Sequence, residues 1–195
     1  MIPVLILAAG QSRRMRGADK LMERIGDQPL IRRQAEAALC AGLQVTVALP
    51  ALDHPRHQAV ADLPVRVIFP PEAAEGMGGT LRAGVAALPV ADAFMVLLAD
   101  LPELTAPDLQ TMCAAMQAET SALIWQGADC DGKPGHPVIF AASLRQAFAD
   151  LAGDVGAKPV IKAHQSQRHL VRLPAQHATR DLDTPEEWAA WRAAP

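Results

Sequence analysis

Cysteine is scarce: the 195 residues hold only Cys40, Cys113 and Cys130. They are far apart, odd in number and without CxxC spacing or a matching histidine pair, which argues against metal or redox chemistry. Cys40 and Cys113 fall in helix-like apolar patterns, so both are expected as buried small hydrophobes. No apolar run approaches the roughly 20 residues needed to cross a bilayer, so no membrane partner is expected. A basic surplus is missing too. The 18 Lys and Arg against 21 Asp and Glu leave a formal charge of −3 and a pI near 6.0, which argues against a general nucleic-acid binder. The apolar start Ile2 to Ala9 has no basic residue before it, and Arg13 and Arg14 follow it, the reverse of a secretory signal's charge order. A cytoplasmic protein is expected. With neither internal repeats nor low-complexity tracts, and with length enough to bury roughly 70% of the unfolded surface, one domain over residues 1–195 is the economical reading.

What the chain does have is short apolar runs alternating with longer helix-like segments, the pattern of an α/β domain with a mostly parallel sheet. The runs predict strands at Pro3 to Ala8, Gln44 to Leu49, Val65 to Phe69, Phe94 to Leu98, Ser121 to Trp125, Pro137 to Phe140 and His169 to Leu173. Helices are predicted at Pro29 to Ala41, Thr80 to Leu88, Pro107 to Ala118, Ser143 to Leu151 and Pro185 to Arg192. In such sheets ligands bind at the carboxyl edge, so the segments just after strands carry the functional information.

The first strand runs into Leu7-Ala8-Ala9-Gly10-Gln11-Ser12-Arg13-Arg14-Met15-Arg16-Gly17-Ala18-Asp19-Lys20. Small residues at Ala8, Ala9 and Gly10 let a ligand approach the backbone, and consecutive N–H groups there can form an anion-binding concavity. Arg13, Arg14, Arg16 and Lys20 add four cations, for which a triphosphate is the complement; a solvated basic loop has the same composition. The glycine spacing fits neither a Walker A loop nor a dinucleotide fingerprint. Further along, three glycines precede Thr80, a candidate N-cap, and a helix start there can offer free N–H donors, although a plain capped helix looks the same. Strand Phe94 to Leu98 ends in Ala99-Asp100-Leu101-Pro102, which puts a carboxylate at the ligand edge, where it can hold Mg²⁺ or simply cap a turn. Asp181 and Asp183, two apart on an extended segment, face the same way before a helix capped by Thr184-Pro185.

Leu-Ala-Ala-Gly-x-Ser-x-Arg-Met followed by Asp-Lys resembles the loop of the MobA-like nucleotidyltransferases, most nearly the molybdenum cofactor cytidylyltransferases. The resemblance runs from Leu7 to Glu187 and includes Gly-Met-x-x-Thr-Leu, Asp100-x-Pro102, Gly135-His136-Pro137-Val138, Gly153-Asp154-x-Gly156-Ala157-Lys158 and Asp181-Leu182-Asp183-Thr184-Pro185. It departs from many relatives by one extra residue before Lys20 and by lysine for arginine at 158. It implies a Rossmann-like three-layer α/β/α fold and transfer of CMP from CTP to the phosphate of a molybdopterin-type cofactor, with release of pyrophosphate. Its implied site has Arg14 and Lys20 as catalytic cations; Leu7, Ala8, Ala9, Gly10, Ser12, Gly78 and Thr80 on the nucleotide; Asp100 and Asp183 on Mg²⁺; and Gly135, His136, Asp154 and Lys158 on the acceptor. A molybdenum hydroxylase is the implied recipient of the product. Transfer to guanylyl, sugar-phosphate or polyol-phosphate products, and a noncatalytic cofactor chaperone, are the readings left beside it.

Overall fold

A computed structural model describes residues 1–194. Its strands are β1 (Pro3–Leu7), β2 (Arg24–Ile25), β3 (Gln28–Pro29), β4 (Gln44–Ala48), β5 (Arg66–Ile68), β6 (Ala93–Leu98), β7 (Ile124–Ala128), β8 (Pro134–Ala141) and β9 (Arg168–Arg172). Its α-helices are α1 (Leu30–Cys40), α2 (Pro55–Val60), α3 (Met77–Ala87), α4 (Ala106–Ala118), α5 (Lys158–Ala163) and α6 (Pro185–Ala193). A seven-stranded sheet runs β5-β4-β1-β6-β8-β7-β9, while β2 and β3 form a separate two-stranded hairpin. The pairings β1–β4, β1–β6, β4–β5 and β7–β9 are parallel, and β8 runs against both β6 and β7. Six carboxyl ends and the amino end of β8 therefore share one edge.

Alternation along the strands divides the core into two layers. Val4 and Ile6 of β1 face one side, with Met95 and Leu97 of β6, and pack with Leu30, Ile31, Leu109, Met112 and Trp188 from α1, α4 and α6. Leu5, Phe94 and Val96 face the other, against Leu81 and Val85 of α3 and Leu144, Phe148 and Val160. On that side Phe94, Phe140 and Phe148 interlock, their ring centroids 5.0 to 5.6 Å apart. The result is the expected α/β/α sandwich with a mostly parallel sheet.

All seven predicted main strands form, with shifted limits; the strand placed at Ser121 to Trp125 is Ile124–Ala128. The segment Ser143 to Leu151 is not an α-helix but a 3₁₀ stretch at Ala142–Phe148. Helix α3 opens at Met77 with Gly76 as its N-cap, so Thr80 is a first-turn residue whose hydroxyl donates to Gly76 O, 3.3 Å away. Cys40 is exposed at the end of α1 and Cys113 half-buried, so neither is the fully buried hydrophobe the sequence suggested. Burial nevertheless pushes the Cys113 thiol above its usual pKa. Among the described residues no helix is long and apolar enough to cross a membrane.

Candidate active site

The loop after β1 lies at the shared edge. Met15 and Leu21, 2% and 3% exposed, pin it to the core, and Ser12 and Arg16 adopt left-handed backbone angles (φ 49° and 53°) that reverse the chain around a short 3₁₀ turn at Arg13–Met15. This folding brings the loop's cations to the two acidic segments. Lys20 Nζ lies 2.5 Å from Asp100 Oδ2 and 2.6 Å from Asp183 Oδ1, and Arg14 Nη2 lies 2.6 Å from Asp183 Oδ2. Burial alone would lower the Lys20 pKa, but the charges and hydrogen bonds of Asp100 and Asp183 outweigh it and raise it, so the ammonium stays charged at neutral pH.

The acidic segments are themselves tied together. Glu103 Oε1 accepts from Arg180 Nη1 at 2.7 Å and from Trp191 Nε1 at 3.0 Å, which joins the turn after β6 to the segment before α6. Gln34 Nε2 donates to Leu101 O at 2.6 Å. Thr184 and Glu187 make a reciprocal capping box at the start of α6, and Glu187 Oε2 also accepts from Asp183 N at 2.7 Å. In consequence Asp100, Asp181 and Asp183 each present a carboxylate oxygen within 4.8 Å of the others. Burial, with the charges of Asp100 and Asp183, raises the Asp181 pKa above its usual 3.8.

These groups open on a cavity of about 630 Å³, lined by residues that include Leu7, Ala8, Ala9, Gly10, Ser12, Arg14, Lys20, Thr80, Asp100 and Asp183. Gly78 is buried and is not among its lining residues; the Gly78 N–H donates to Gly153 O at 2.7 Å. Asp154 does line the cavity, but its carboxylate caps α3 by accepting from Met77 N at 3.2 Å. The helix start expected to offer free donors thus has two of them engaged by the 153–154 turn. Its glycines serve contact with neighbouring backbone: a Cβ at Gly79 would stand 2.0 Å from Glu72 O. The gain in helix propensity from Gly79→Ala is about 1 kcal/mol. Displacing that carbonyl outweighs it, and urea unfolding is expected to show a net loss of roughly 1–3 kcal/mol.

Gly135 and His136 sit at the amino end of β8, on the ligand edge but outside the cavity's lining. A Cβ on Gly135 would meet Ala178 O at 1.9 Å, and His136 N donates to the same oxygen at 2.8 Å. Burial holds the His136 pKa below its usual 6.5 despite the bond to Val96 O and the nearby Asp100 charge, so the ring is neutral at pH 7. Lys158 is elsewhere. It lines a separate cleft of about 240 Å³ with Gln126, Lys162 and Arg168, so the structure does not bring it to the main cavity.

Sequence reading missed Glu103 and Arg56. The Arg56 side chain, 2% exposed on α2, bonds Asp19 through Nε (2.8 Å) and Nη2 (2.6 Å), Ala8 O and Gly10 O through Nη1 (2.6 and 2.7 Å), and Ser12 Oγ through Nη2 (3.0 Å). Burial would raise the Asp19 pKa, but the bonds and charge of Arg56 hold it below 3.8. No short-range pattern reveals such a residue; only its burial in the fold does.

A doubly wound sheet with a small-residue loop, cations and carboxylates meeting at its carboxyl edge is the architecture of a nucleotide-handling α/β protein. Residues 4–169 match the MobA-like NTP transferase domain, and the chain belongs to that family. It is 39% identical over 108 residues to the probable molybdenum cofactor guanylyltransferase of Synechococcus elongatus, a match spanning 54% of each chain, so about half of that relative's length. It is 27% identical over 202 residues to the purine catabolism protein PucB of Bacillus subtilis, spanning 97% of this chain and 95% of that one. Among solved structures, Rv0371c of Mycobacterium tuberculosis H37Rv has the same fold, with a TM-score of 0.83 at 23% identity over 97% of this chain and 95% of that one. Its complex with manganese gives a TM-score of 0.80 at 21% identity, covering 99% of both chains.

Proposed function

We propose that this chain is a divalent-metal-dependent nucleotidyltransferase that moves CMP from CTP to the phosphate of a molybdopterin-type molybdenum cofactor in the cytoplasm, for delivery to a molybdenum hydroxylase. The observation that carries the reading is the meeting of Arg14 and Lys20 with Asp100 and Asp183 on one cavity, although 163 residues separate Lys20 from Asp183. An oxygen of the acceptor phosphate bonds to the α-phosphorus of the triphosphate. The bond from that phosphorus to the β-bridging oxygen breaks, and its electron pair leaves with pyrophosphate. The reacting groups carry the covalent chemistry, so the protein's work is alignment and charge stabilisation. Arg14 and Lys20 hold the triphosphate and draw off charge as it passes to the leaving group, while Ala8, Ala9, Gly10 and Ser12 supply backbone against the phosphates. Thr80 lies on the base side. Gly135 and neutral His136 border the acceptor side; Asp154 serves it only through the turn it fixes.

The carboxylates suit a hard cation, which takes oxygen ligands. Asp100 Oδ1 is buried without a hydrogen-bond partner among the described residues, an atom that a ligand would satisfy. Asp100 and Asp183 would hold Mg²⁺, with Asp181 as a third oxygen donor within reach, and the ion would supply neutralising charge to the phosphates. The manganese complex of Rv0371C, which shares the fold, is consistent with such a site.

The choice of cytosine rests on Leu-Ala-Ala-Gly and on the segments at 135–138 and 153–158, whereas the Synechococcus relative is named a guanylyltransferase. Pyrophosphate release is to be measured with the molybdenum cofactor, Mg²⁺ and either CTP or GTP. A higher kcat/KM for CTP is expected. A preference for GTP overturns the base assignment and keeps the reaction class, while no release with either overturns transfer to this acceptor.

A further inference from the structure

We propose that Arg56 is the positioning residue that sets the phosphate-facing side of the loop after β1; the inference rests on the nucleotidyltransferase reading above. A guanidinium has five N–H donors in a fixed fork. In this chain all five are used, and every acceptor belongs to one loop: Ala8 O, Gly10 O, Ser12 Oγ and both oxygens of Asp19. The side chain comes from α2, behind the loop, and is absent from the cavity's lining, so it does not touch a ligand there.

Its effect on the loop follows from peptide planarity. In a trans peptide the C=O and the next residue's N–H point in opposite directions. Drawing Ala8 O and Gly10 O back onto Arg56 turns the N–H groups of Ala9 and Gln11 outward, and both residues line the cavity. Neither N–H has a protein partner among the described residues. Two such donors aimed the same way, on residues two apart, can converge on one phosphate oxygen.

The other end of the fork governs Lys20. Asp19 is gripped through both oxygens, and its Oδ1 also accepts from Leu21 N at 3.0 Å and from Ser12 Oγ at 3.3 Å. The backbone on both sides of Lys20 is thereby fixed. Asp19, with its charge matched by Arg56, is also kept from competing with Asp100 and Asp183 for the ammonium. One buried cation thus orients the backbone donors at the start of the loop and the lysine at its end.

Lysine cannot substitute, since its three donors serve at most three of the five acceptors and its point charge has no fork. Inorganic tripolyphosphate with Mg²⁺, titrated by calorimetry into the full chain, reads the loop without the chemical step. Arg56→Lys is expected to bind it at least tenfold more weakly than wild type and to raise the KM for the nucleotide by a similar factor, with the acceptor KM within twofold. Hydrogen exchange over residues 9–20 is expected to quicken while the β1 and β6 amides stay protected. Millimolar guanidinium is expected to restore part of the binding to Arg56→Ala. If the arginine variants fail to fold, Asp19→Asn, which removes the charge that Arg56 grips, is expected to show the same tenfold weakening. Tripolyphosphate affinity within twofold of wild type in a folded Arg56→Lys or Asp19→Asn chain overturns the inference. Wild type that binds neither tripolyphosphate nor nucleotide overturns the nucleotidyltransferase reading instead.

Discussion

Asp100→Asn is expected to lower pyrophosphate release on the order of a thousandfold, about 4 kcal/mol at roughly 1.4 kcal/mol per factor of ten. The substitution keeps the side chain's shape, so packing around Leu101 and Leu104 is preserved. It removes one charge from the triad and converts an oxygen acceptor, at either Oδ1 or Oδ2, into an amide donor. Oδ2 is the atom that meets Lys20, whereas Oδ1 is the buried atom with no partner, so either orientation of the amide damages one function of the residue. Chelation of divalent ions from wild type is expected to produce a loss of the same order, and Asp100→Asn should respond little to further chelation. A variant with wild-type turnover, or one with the full metal dependence of wild type, would remove Asp100 from the proposed cation site.

Lys20→Met is expected to show two effects of opposite usefulness. Turnover falls on the order of a hundredfold or more, because a donor aimed at developing charge is gone. The fold also becomes dependent on divalent ions. Lys20, Asp100 and Asp183 have side chains only 17%, 15% and 11% exposed, so this is not a solvent-screened surface pair. Removing one partner of a buried pair costs about 3–5 kcal/mol, an upper figure here since Arg14 still meets Asp183. Asp181 loses a cation whose charge opposes its raised pKa. Without metal the variant should melt below wild type, and millimolar Mg²⁺ should raise its melting temperature more than that of wild type. An equal Mg²⁺ response in the two proteins would show that Lys20 and the metal do not share these carboxylates.

The elements read correctly from the chain are those whose signal is local. Val4-Leu5-Ile6-Leu7 is apolar on both faces, and both faces are covered. Thr105 with Asp108, and Thr184 with Glu187, make capping boxes from residues three apart, so α4 and α6 begin within a residue of their expected starts. Helix α2 has six residues, too few for a periodic apolar face, and its buried members are Arg56 and Val60; nothing in that pattern announces a helix. Thr80 was a plausible cap by residue type, but the turn at Gly153 and Asp154 supplies the cap from far along the chain and extends α3 back to Met77. The same division governs the site. Arg14, Lys20 and Asp100 stand in recognisable segments that follow strands, and Asp183 in one that precedes the capped start of α6, whereas Arg56 and Glu103 act only through partners that folding brings close. Lys158 is the opposite case: its segment is recognisable, yet α5 carries it to another cleft.

Because Asp183 closes the cluster of charges, its members come from segments as far apart as Arg14 and Asp183, and the cluster exists only once folding has joined them. A fragment cut before this residue keeps the cations of the loop after β1 and loses one of the two carboxylates that meet them.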